Sequence, residues 1–237
     1  TISISSAAEV DGYGAGMRLV NAHPLIRDVV VESNAVSRAG GATYTGHGVG
    51  IYMLNSNPTL VDVIVRDNTT ATGGDGGGLY LDNSDPDMDG VQILDNFADN
   101  NGGGIYVTGS TPDINHALLE GNVAAGGGGG AYFSSSNLTF DDSIVRGNVA
   151  LSNNSGGGGI QVSGGSPNIR NTLFYDNDAT FGGGLLVYTG SPAVRNVVAT
   201  GNTGRIGSAI CFVSASGTLA NATITGNSGV LYGALYS

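Results

Sequence analysis

A single register runs through nearly all of this chain, and it limits the folds open to it more than any other feature. Taking the residue after each glycine cluster as an anchor gives Met17, Ile51, Leu79, Ile105, Ala131, Ile160, Leu185 and Ile210. Seventeen residues after every anchor stands an asparagine: Asn34, Asn68, Asn96, Asn122, Asn148, Asn177, Asn202 and Asn227. The prolines give an independent check, because all six (Pro24, Pro58, Pro86, Pro112, Pro167 and Pro192) fall seven residues after an anchor. A ninth anchor, Leu235, opens a further coil, so successive anchors lie 34, 28, 26, 26, 29, 25, 25 and 25 residues apart. A repeat of this length is one supersecondary unit that buries its apolar face only by stacking on its neighbours.

Within each repeat the pattern is that of short strands. In Ile105-Tyr106-Val107, alternation puts Ile105 and Val107 inside and Tyr106 outside. Proline then sets a strand entrance. A second strand centres nine residues after the anchor, on Ile26, Leu60, Met88, Ile114, Phe140, Ile169, Val194 and Leu219. At position +11 stand Asp28, Asp62, Asp142, Asn171, Asn196 and Asn221, types that tolerate left-handed backbone, so a bend is expected there. A third strand carries inward residues such as Val63 and Val65, or Thr172 and Phe174, and ends at the repeated asparagine. Stacked about 4.8 Å apart, these asparagines can bond one another as an amide ladder. The 42 glycines would break helices, and no 3.6-residue period appears. The expected fold is all-β: a right-handed, single-stranded parallel β-helix of about eight to nine coils, each of three short strands, with an Asn ladder. It forms one domain over 1–237, with an incomplete first coil at 1–16, eight repeats over 17–234 and the start of a truncated ninth at 235–237.

The segments GGGIYV (102–107), GGGLYL (76–81), GGGLLV (182–187) and FYDN (174–177) resemble the repeats of pectin-lyase-like β-helix proteins. They are similar above all to the GGAI-type and FxxN-type repeats of polymorphic outer-membrane proteins and related bacterial surface proteins. Phe occupies the FxxN position only at Phe174, with Val, Ile, Leu or Ala elsewhere. The resemblance implies a β-helix and an extracellular or cell-surface setting. It does not fix an activity, because the architecture hosts lyases, hydrolases, epimerases and adhesins.

Charge narrows the partners. Eight arginines, no lysine and 19 acids give a net charge of −11, which disfavours nucleic acids and anionic membrane surfaces. No apolar run approaches the length of a membrane-spanning helix. Cys211 is the only cysteine, so no intrachain disulfide forms. The glycine runs at 126–130 and 156–159 lack the lysine of a phosphate-binding loop. His23, His47 and His116 occupy different repeat positions and define no metal triad.

Four features remain as candidate sites. The residue after the anchor faces outward, and over four consecutive coils it is Tyr52, Tyr80, Tyr106 and Tyr132 beside a strip of glycines: a surface on which a linear glycan or a partner could lie, or simply good strand residues stacking on their own copies. DPDMDG at 85–90 resembles the start of a calcium loop; Asp85, Asp87 and Asp89 would share an outer face, with Asp113 one coil along from Asp87. No Glu closes the loop at its twelfth position, where Asn96 stands, so a solvated acidic face is the competing reading. At position +13, Val30, Ile64, Leu118, Ile144, Leu173 and Val198 form either an exposed apolar row, with Gln92 and Thr223 as its polar members, or part of the core. The longest connection, 35–50, carries Arg38, Tyr44 and His47.

No cofactor is required, and calcium is the one candidate. The expected function is a non-enzymatic extracellular or cell-surface module, a rigid rod that spaces, adheres or binds polysaccharide or another surface protein. The alternatives are a polysaccharide lyase or glycosidase working on the first-strand face, and a repeat segment of a self-assembling structure that associates through its ends or its apolar row.

Overall fold

The computed structural model describes residues 12–36, 45–153 and 156–237, which form a parallel β-solenoid with no helix among them. First strands such as Ile51–Leu54, Leu79–Asp82, Ile105–Thr108 and Ala131–Ser134 stack into a nine-stranded sheet. Every anchor pairs with the next, from Met17↔Ile51 through Ile105↔Ala131 to Ile210↔Leu235. Second and third strands build two further faces that join where Ala193–Thr200 runs unbroken around the corner, making one folded 14-stranded sheet. The residues at +9 point inward, from Leu60 and Met88 to Phe140 and Val194, as do Val63, Val65, Thr172 and Phe174 of the third strands.

The corners are made by left-handed residues. All eight residues at +11 have positive φ, including Gly90 and His116, which complete the Asp/Asn series. A second corner at +16 behaves alike, with Ser33, Asp67, Asp95, Gly121, Gly147, Asp176, Gly201 and Gly226 all at positive φ. Asp, Asn and Gly fill these places because their backbone enters that region at least cost. The six coils from Asn96 onward also have a fourth short strand after the ladder asparagine, such as Phe97–Ala98 and Val123–Ala124, in a six-stranded sheet, and isolated bridges at Ala35 and Thr69 continue it toward the first two coils. It is only two to four residues long, too short for alternation to reveal, so three strands per coil becomes four.

The expected ladder is present and binds three coils at once. Asn122 donates from its backbone N–H and from Nδ2 to Asn148 Oδ1, both at 3.0 Å, and its other Nδ2 hydrogen reaches Ile93 O of the preceding coil at 2.8 Å. The same pattern links Asn68 to Asn96, and Asn177 to Asn202. The glycine just before each of the first seven anchors makes room for it, while Ala209 and Ala234 stand at the last two. A Cβ on Gly104 would lie 2.5 Å from Gly130 O and 3.1 Å from the Asn122 side chain. These glycines lie outside the positive-φ set, so space, not conformation, requires them. A second ladder runs at +5, where the Ser56 and Ser84 backbone N–H groups donate to the hydroxyls of Ser84 and Ser110, each at 2.9 Å.

Replacing Asn122 with Ala leaves the Asn96 donors and Ile93 O unpaired in a dry interior. At about 1–3 kcal/mol per orphaned buried group, the expected loss is roughly 3–5 kcal/mol by chemical denaturation. Asn227→Ala, at a half-buried rung where water can substitute, is expected to cost only about 1 kcal/mol. Equal losses at the two sites would contradict the ladder's role.

A candidate binding face on the first strands

The parallel register sets each tyrosine directly above the last, through the pairs Tyr52↔Tyr80, Tyr80↔Tyr106 and Tyr106↔Tyr132. Their rings stack along the axis with centroids 5.5, 5.0 and 5.3 Å apart and interplanar angles of 16°, 6° and 6°. Tyr52 is buried and the other three are half-buried. The ring faces therefore cover one another, leaving ring edges and hydroxyls for a ligand. The glycines two residues before them do not flank the rings as an open strip. Gly50, Gly78, Gly104 and Gly130 are buried, and a Cβ there would meet the ladder asparagines or the core. Strict alternation fails at this corner because the ladder amide occupies the inward side. The row also ends at Tyr132: the next residues at this position, Gln161, Leu186 and Cys211, are buried, and burial pushes the Cys211 thiol up to about 11, which keeps it unreactive.

A second file of side chains flanks the rings and escaped the sequence reading. Tyr13, His47, Asp75 and Asn101 all lie four residues before an anchor, so the register already held the signal. Tyr13 stacks on Tyr52 at 5.1 Å and 15°, and the His47 ring lies 4.9 Å from Tyr80. His47 Nδ1 accepts the Asp75 backbone N–H at 3.0 Å and sits 3.4 Å from Asp75 Oδ2. Asp75 Oδ1 accepts the Asn101 N–H at 2.9 Å, and Asn101 Oδ1 accepts the Gly127 N–H at 3.0 Å. Burial lowers the His47 pKa against the pull of Asp75, and burial raises that of Asp75 against the bonds from Asn101 and the attraction of His47. Both groups are thus biased toward their neutral forms. Burial also raises the Tyr80 and Tyr106 phenols, with neighbouring tyrosines and the charges of Asp75 and Asp82 adding to it. Of the 35–50 connection, His47 joins this file, while Arg38 and Tyr44 lie outside the described residues. Arg18 stands 5.8 Å over the Tyr52 ring.

The aspartates are arranged differently. Asp87 and Asp113 face outward on paired rungs, as expected. Asp85 sits in the preceding turn, where its carboxylate accepts the Thr111 N–H at 2.5 Å. Asp89 meets His116 Nδ1 at 2.7 Å, and His116 Nε2 lies 3.5 Å from Asp142 on the next coil. Among the described residues no three His, Cys, Asp or Glu side chains converge as a metal site, so the four aspartates form a spread row partly bridged by a histidine. The +13 row is on the surface: Ile144 and Val198 are exposed, Leu118 and Leu173 half-buried, and their neighbours Val145 and Phe174 are core. Beside it Arg146 pairs with Glu120 at 2.6 Å and donates to the Tyr175 hydroxyl at 2.5 Å, lining a shallow pocket of ≈ 290 Å³.

A family model described as "Right handed beta helix region" matches residues 49–229, well over half of the chain. Comparisons with curated proteins and with solved structures gave no match.

His116 generates a pH dependence. Its hydrogen bond to Asp89, helped by the charges of Asp89, Asp142 and Asp141, holds its pKa above the ordinary 6.5 against the opposing desolvation. A folded-state value above the unfolded one stabilises fully below the unfolded pKa and is lost as pH rises through the folded one. The melting temperature of the parent chain should exceed that of His116→Gln most in mildly acidic buffer, and the gap should close in alkaline buffer. A gap independent of pH would contradict the bridge.

Proposed function

The chain belongs to the right-handed β-helix family, and we propose that it is a non-enzymatic extracellular or cell-surface rod that holds a linear polysaccharide along its first-strand face. The observation that carries this reading is the tyrosine row, four rings in register at 5.0–5.5 Å steps. That step is of the same order as one sugar unit in an extended chain, so successive sugars could meet equivalent groups. Because the ring faces cover one another, recognition would run through hydroxyls instead of sugar-on-ring stacking. Thr108 and Ser134, two residues after Tyr106 and Tyr132 and half-exposed, widen the same polar rail. Eight coil steps at about 4.8 Å each give a rod of roughly 40 Å, long enough for several sugars.

A second reading, a polysaccharide-active enzyme, is favoured by one observation: the pair of half-buried His47 and buried Asp75 beside the tyrosines, with Arg18 near the same end of the row. Perturbed, coupled titratable groups of this kind are a general mark of catalytic sites, although cross-coil bonding explains the pair equally well.

Glycan arrays and affinity electrophoresis separate these readings. Combined Tyr80→Phe, Tyr106→Phe and Tyr132→Phe substitution keeps the stacked rings, and so should leave the melting temperature within a few degrees while weakening glycan binding about tenfold, the loss of one or two hydrogen bonds. A blank array would overturn the binding proposal. Unsaturated product from uronic-acid polymers, abolished by Arg18→Ala or His47→Ala, would establish the enzyme instead.

A further inference from the structure

The charges beside the tyrosine row favour one class of glycan. Across the coils of Tyr80, Tyr106 and Tyr132, the flanking positions hold Asp75, Asn101 and Gly127 on one side and Asp82, Thr108 and Ser134 on the other. The described arginines are elsewhere: Arg18 at the far end of the row, Arg27, Arg170 and Arg195 on the second strands, Arg66 and Arg146 on the third, and Arg205 in a fourth-strand segment. Beyond Arg18, the formal charge flanking the described row is therefore only negative. The two acids are not equivalent. Asp75 is buried and held by Asn101 and His47. Asp82 is half-exposed, two residues from Tyr80 on the same face, and its carboxylate has no hydrogen bond or ion pair among the described residues. It contrasts with Glu32, Glu120 and Asp141, each paired with an arginine on another face.

We infer that the polysaccharide held on this face carries free amino groups, as an unacetylated glucosamine polymer does, with Asp82 pairing to an ammonium while the tyrosine, Thr108 and Ser134 hydroxyls take the sugar hydroxyls. The inference rests on the glycan-binding reading above and adds the charge of the ligand. A chain of net charge −11 attracts such a polymer at long range and repels a uronic-acid polymer. General attraction alone would make any acid on the molecule count equally. The local claim is that Asp82 counts and an exposed acid elsewhere does not.

Calorimetry on the intact chain tests this with three probes: a fully deacetylated glucosamine oligomer, its fully acetylated counterpart and an oligogalacturonate. The deacetylated oligomer should bind at least tenfold more tightly than the acetylated one and weaken as salt is raised. Asp82→Asn should weaken it about threefold, the scale of one exposed ion pair, and leave the acetylated oligomer unaffected. Asp113→Asn, on the second-strand face, should change neither. Equal binding of the two glucosamine oligomers, preference for the oligogalacturonate, or equal losses in Asp82→Asn and Asp113→Asn would overturn the amino-glycan inference and leave glycan binding standing. Binding of none of the three, together with a blank array, would overturn both.

Discussion

The asparagine amide at the end of each third strand holds this molecule in register. Each amide from Asn68 to Asn202 uses both of its hydrogens, one on the next coil's asparagine oxygen and one on the preceding coil's third-strand carbonyl, as Asn96 does toward Asn122 Oδ1 and Val65 O. A side chain that ties three coils forbids slippage, because a shift of one residue would strand several buried donors and acceptors and also turn every inward residue outward. The glycine before each of the first seven anchors is a consequence. The amide occupies the corner so fully that a methyl group on Gly78 or Gly130 would press on both the ladder asparagine and the next coil's carbonyl.

Once the register is fixed, the outer faces follow from it. Whatever stands at a given repeat position becomes a row about 4.8 Å in step. Tyrosine at +1 becomes a ring stack, aspartate around the second strands an acidic row, and Leu118, Ile144, Leu173 and Val198 an apolar row. Like charges in such rows would repel, and the chain meets this locally: His116 bridges Asp89 and Asp142, Arg146 neutralises Glu120, and Arg170 neutralises Asp141. Asp82 has no such partner among the described residues, and neither have Asp87 and Asp113; what sets Asp82 apart is its place beside the tyrosine row.

Much of this could be read in the sequence because solenoid contacts repeat at sequence-visible intervals. The ladder asparagines, the inward residues at +9 and the bend at +11 needed only the anchor alignment. The second left-handed corner was harder to see, since Ser33, Asp67 and Gly121 share a backbone conformation but not a residue type. The serine ladder at +5 and the file of Tyr13, His47, Asp75 and Asn101 at −4 were in register all along. Their residue types vary or lapse along the rod, so no single letter repeats to announce them.

The sequence by itself determined the coil: its length, its inward residues, its ladder and the contents of each outer row, because each of these depends on spacing along one chain. Only the tertiary structure decided how those rows present themselves. It closed the tyrosine faces against one another, turned the preceding glycines inward, brought His47 to Asp75 from a neighbouring coil and placed the +13 row on the surface. Those outcomes depend on ring orientation, corner geometry and the crowding around the amide ladder, three-dimensional quantities that residue spacing does not encode. The register given by eight asparagines and six prolines thus fixed where each candidate group lies, and the packing of adjacent coils determined which of them a ligand can reach.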